Sequence, residues 1–140
     1  MRFPSTRRRG ALVGALLLLL AGCNILNDGP PKQVHVIVDA SPQDPLLLIV
    51  SSNFAVGSNP SGQSQSSIAT ADTTLVSGPY DHTYTLDPSA PLILVRLQND
   101  ADNAETVRMR ILLDNKPEYD TSKELATGDF LEYAYTNLSY

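Results

Sequence analysis

Leu92-Ile93-Leu94-Val95-Arg96-Leu97-Gln98-Asn99 and Thr106-Val107-Arg108-Met109-Arg110-Ile111-Leu112-Leu113-Asp114 carry apolar side chains at every second position. Period two is the signature of a strand with one buried face. Ile93, Val95 and Leu97 share one parity, and Val107, Met109, Ile111 and Leu113 share another. A turn centred near Asp102 predicts an antiparallel hairpin with Leu97 opposite Val107 and Val95 opposite Met109, both apolar faces aimed the same way.

The same period extends outward from this segment. Val34, Val36 and Val38 predict a first strand with His35 and Asp39 on its other face. Leu46 to Val50 is a continuous apolar run, as expected of a strand covered on both faces. Ala55 to Ser66 is too polar to bury a face and reads as a mobile loop. Ser67–Val76 and Tyr80–Leu86 read as further strands around Ser77-Gly78-Pro79. Asp114-Asn115-Lys116 predicts a tight hairpin turn, because Asn tolerates positive φ. Pro117–Leu125 and Phe130–Leu138 close the pattern across Thr127-Gly128-Asp129. No helical stripe competes with it. The fold expected is all-β: an immunoglobulin-like antiparallel β-sandwich of about 7–8 short strands. It would occupy residues 33–140, without the Cys–Trp–Cys hallmark of antibody domains.

The beginning of the chain follows another logic. Arg2, Arg7, Arg8 and Arg9 precede an apolar run from Ala11 to Leu20. Such a run is too short to span a bilayer and reads as a signal peptide, residues 1–22. It closes on Leu20-Ala21-Gly22-Cys23. These four residues resemble the lipobox of bacterial lipoproteins at every position. The resemblance implies lipidation of Cys23, cleavage before it, and a membrane anchor through that residue. Asn24 stands where an aspartate would hold an enterobacterial lipoprotein at the inner membrane, so the outer membrane or cell surface is favoured. Residues 23–32, with Asp28-Gly29 and Pro30-Pro31, read as a tether.

Removing residues 1–22 leaves six basic against 15 acidic residues, a net charge of −9. Such a domain repels nucleic acid, so no nucleic-acid partner is expected. Cys23 is the only cysteine, so packing alone must hold the core.

A second resemblance lies in the order of the strands. An alternating strand, an apolar strand ending in Ser-Asn, a polar loop, Leu94–Asn99, an acidic loop and Val107–Lys116 recur in small envelope lipoproteins. The order also resembles the extracytoplasmic domain of the mycobacterial MmpS proteins. That likeness implies an accessory role in lipid or siderophore export. The chain has a lipobox where those proteins have a transmembrane helix, and it lacks their paired cysteines.

Catalytic chemistry is hard to assemble from these residues. His35 and His82 are the only histidines, no Gly-x-Ser-x-Gly elbow occurs, and both histidines read as outward-facing strand positions. Asn99–Glu105 offers oxygen ligands but lacks the glycine and the closing glutamate of a calcium loop. No enzyme, cofactor or metal is expected. The predicted hairpin would set Arg96 opposite Arg108 with Arg110 alongside, a basic patch for an acidic partner or an anionic glycan or lipid headgroup, unless neighbouring acids neutralise it. Tyr80 with Tyr84, and Tyr133 with Tyr135, share strand faces; such pairs serve carbohydrate stacking, protein interfaces or the wet rim of a core. The function expected is a non-enzymatic binding or scaffolding module with an envelope protein or glycan partner.

Overall fold

A computed structural model describes residues 29–137. The signal peptide, Cys23 and the first half of the tether lie outside the described residues. The eight strands are β1 (Gln33–Asp39), β2 (Leu46–Ser58), β3 (Ser64–Val76), β4 (Tyr80–Thr85), β5 (Leu92–Gln98), β6 (Glu105–Leu113), β7 (Lys116–Leu125) and β8 (Phe130–Thr136). They form two antiparallel sheets, ordered β4-β1-β6-β7 and β3-β2-β5-β8, in an immunoglobulin-like β-sandwich.

Alternation builds the core between the sheets. Val34, Val36 and Val38 of β1 and Val107, Met109 and Ile111 of β6 are at most 1 % exposed. They meet Leu46 and Leu48 of β2 and Val95 and Leu97 of β5. Each such side chain contributes about 1.5–3 kcal/mol when taken out of water. β5 and β6 are not a hairpin. Residues 99–104 carry the chain from one sheet to the other, so the two apolar faces meet across the core and are not side by side. Periodicity cannot separate these arrangements, because both bury the same residues. Among the described strands only β2–β3 and β6–β7 are hairpins; the other connections change sheets. The β6–β7 turn has positive φ at both Asp114 (46°) and Asn115 (67°), the two-residue turn whose twist matches antiparallel strands.

Tether and loops segregate to opposite ends. Lys32, the 86–91 connection and the Asp114–Asn115 turn share one end. There the Asp114 carboxylate accepts from the backbone N–H groups of Lys32 and Gln33, each at 3.0 Å, which fixes where the tether meets the domain. Connections 40–45, 77–79, 99–104 and 126–129 share the far end.

Residues 55–66 are mostly strand. β2 and β3 run on as a two-stranded arm, with Val56 paired to Ser66, and only 59–63 forms the turn. A bulge between Val50 and Phe54 redirects the arm. There the Ser51 hydroxyl donates to the Thr70 carbonyl at 2.6 Å and accepts from the Asn53 N–H at 3.0 Å. The Ser66 hydroxyl then donates to Glu132 of β8, which lies in the same cross-strand row as Ile49. The arm therefore folds back over the outer face of its own sheet. Leu94 points away from the core and yet has no exposed surface, as expected of a residue under that arm.

Candidate functional site

The three arginines occupy both outer faces. Arg96 is on β5 and Arg108 and Arg110 are on β6, so the predicted Arg96–Arg108 juxtaposition does not occur. Arg96 lies opposite Glu132, to which its Nε and Nη2 donate at 2.7 and 2.5 Å. Its guanidinium also sits 4.6 Å from the centre of the Phe130 ring, a cation–π distance.

On the other face, Arg108 lies opposite Asp39 and Arg110 opposite Asp120, yet the ion pairs run along the diagonals. Arg108 forms a two-pronged pair with Asp120 at 2.7 Å in both prongs, and Arg110 donates to Asp39 at 2.9 Å. The hydrogen bond to Arg108 holds the Asp120 carboxyl below its ordinary pKa, and the same bond raises that of Arg108. Two cations and two anions close a neutral quartet. The acids of neighbouring strands thus pair with the arginines, as the sequence allowed.

Aromatic residues line both edges of the sandwich, one of which is open. Tyr80, His82 and Tyr84 of β4 lie opposite Val38, Val36 and Val34, so they point to the inner side of the sheet at its edge. His82 is thus not outward-facing; His35 is, and its Nε2 lies 2.6 Å from Asp81. Across the gap, β3 turns Asp72 and Thr74 to the same interior side, opposite Val50 and Leu48. On the other side of the sandwich the gap is closed: Tyr119 and Tyr133 bring their ring centres within 5.7 Å, and Lys123 pairs with Asp129 at 3.2 Å.

The Tyr80 and Tyr84 hydroxyls meet at 2.8 Å. Residues four apart on a strand are about 13 Å apart at Cα. Both rings must therefore lie along the strand and converge beside His82, whose ring is 4.7 Å from that of Tyr84 and 6.2 Å from that of Tyr80. Burial, then the bond to Tyr80, raises the Tyr84 pKa, so its phenol stays protonated across the ordinary pH range. Tyr80 and Tyr84 are partly buried against the core, while His82 is exposed.

Two other features are less developed. An open groove of about 760 Å³ lies where the tether meets the β6–β7 turn, lined by Pro30, Pro31, Lys32, Lys116 and Tyr135 among others. At the far end Asp44, Asp100 and Asp102 line a shallow depression. Among the described residues, no group of three or more His, Cys, Asp or Glu side chains is arranged to hold a metal ion. No protein-family model, curated protein or solved structure matches this chain.

Proposed function

We propose that the chain is a bacterial envelope lipoprotein, anchored through acylated Cys23, whose single β-sandwich is a non-enzymatic binding or scaffolding module. The observation that carries the reading is Leu20-Ala21-Gly22-Cys23 at the end of the apolar run. Two or more acyl chains hold a protein stably at a bilayer, where one does so only marginally. With the anchor at Cys23, the end bearing Lys32 faces the membrane, and the 99–104 loop, with Asp100 and Asp102, and the 126–129 loop lie at the opposite end. Asn24 favours the outer membrane or the cell surface. A glycan or another envelope protein is the partner that suits an acidic sandwich with tyrosines along its edges.

Intact-mass spectrometry of the protein purified from its native membranes, beside a Cys23→Ser variant, tests the anchor. The expected result is a chain beginning at Cys23 with a diacylglyceryl increment, and a variant lacking it. An unmodified, soluble chain cut elsewhere would overturn the reading.

A further inference from the structure

The open side between β3 and β4 has what an uncharged sugar chain needs. Sugars present C–H faces that stack on aromatic rings and hydroxyls that seek paired donors and acceptors. The Tyr80 and Tyr84 rings converge through their hydroxyls beside exposed His82, whose ring meets that of Tyr84 edge-on, so three rings line this side. Because one tyrosine hydroxyl donates to the other, the second keeps its own O–H to give away. Asp72 and Thr74 on the facing strand supply a carboxylate acceptor and a hydroxyl. The arm bends away beyond Thr70, so the β3 lip stops beside Asp72 and the slot is open toward the tether end.

We infer that Tyr80, His82 and Tyr84, with Asp72 and Thr74 across the gap, form a binding site for a neutral saccharide chain. The carboxylate and the net charge of −9 of the mature chain disfavour anionic glycans, which separates this site from the arginine patch expected from sequence. The inference rests on the binding-module half of the function proposed above and not on the anchor. Loss of acylation would leave it intact.

The test uses the full chain and follows tyrosine fluorescence, which no tryptophan obscures, during titration with chitotetraose and, separately, polygalacturonate. Saturable binding of chitotetraose is expected. Asp72→Asn and His82→Ala, both at exposed positions, are expected to weaken it about tenfold. Tyr84→Phe, which keeps the ring, is expected to weaken it less than Tyr84→Ala, and Tyr133→Phe on the closed side to leave it unchanged. No saturable binding of chitotetraose, binding that survives Asp72→Asn and His82→Ala together, or preference for polygalacturonate would each overturn the proposal.

Discussion

The side-chain amide of Asn99 donates to the backbone carbonyl of Leu125 at 2.9 Å, joining the loop after β5 to the end of β7 deep inside the far end of the sandwich. The same amide donates to the Asn103 carbonyl at 2.7 Å, and its oxygen accepts from the Ala101 N–H at 3.0 Å. Its backbone N–H and carbonyl are taken up by Asp129 and Gly128. With no exposed surface, Asn99 is a polar residue that the far end is built around.

Replacing Asn99 by Ala is therefore expected to destabilise the fold by about 2–4 kcal/mol, since stranded buried carbonyls cost about 1–3 kcal/mol each. Asn99→Asp should be at least as harmful, because a carboxylate would face two carbonyl oxygens. Urea denaturation curves check both. A variant within about 0.5 kcal/mol of the parent would show that the loops find other partners.

The Arg108–Asp120 pair fixes a sign for acid behaviour. Asp120 is held below its ordinary pKa by Arg108, so its contribution is present above the unfolded carboxylate pKa and is lost as pH falls through the lower folded value. Arg108→Gln is expected to move the Asp120 carboxyl upward in an NMR titration. Both groups are exposed, so the effect on global stability should be small. An unmoved midpoint would contradict the pairing.

At alkaline pH the sign reverses. Burial, reinforced by Glu118, pushes the Tyr133 phenol up to about 12. Its contribution is intact below the unfolded tyrosine pKa of about 10 and is lost as pH rises through the folded value. Tyr133→Phe should resist alkaline unfolding over that window better than the parent. Phenolate absorbance during titration, compared between the two, reads this directly.

The folded-back arm makes its own prediction. Ser66→Ala and Glu132→Gln should speed amide hydrogen exchange across residues 54–68 while costing no more than about 1 kcal/mol globally. Ser51→Ala, at the bulge, should do the same and also expose Leu94. Exchange rates unchanged in all three would mean that apolar contact alone holds the arm.

The turn at Asp114–Asn115 distinguishes residue types. Asn115→Gly should be nearly neutral, and Asn115→Val should cost about 1–2 kcal/mol, because a β-branched side chain fits poorly at a φ of 67°. Thermal midpoints of the two variants decide the matter.

Much of the fold was legible because burial writes a period into the sequence. Val34, Val36 and Val38, or Val107, Met109 and Ile111, announce their faces without reference to any partner. Which sheet a strand joins is written nowhere so local. The β5 and β6 alternations suit a hairpin and a crossing equally, and the expected Arg96–Arg108 contact failed with that choice. The arm was hidden for another reason. Its Ser- and Gln-rich strands bury little, and what orders them is a bulge and a hydroxyl–carboxylate bond between positions distant in the chain. Asn99 also gave no signal, since buried asparagines and turn asparagines look alike in sequence. The pairing of Tyr80 with Tyr84 was visible from parity, but the facing position of Asp72 needed the topology.

Crossings between sheets also govern how fast such a chain can find its structure. Only β2 with β3, in one sheet, and β6 with β7, in the other, can pair before remote segments meet. Those two hairpins are the natural nuclei, and each must wait for strands separated by long loops of chain whose closure is entropically slow. Folding on the millisecond-to-second scale of sandwich topologies is the consequence, with the two-residue turn at Asp114–Asn115 fixing the register of the β6–β7 hairpin.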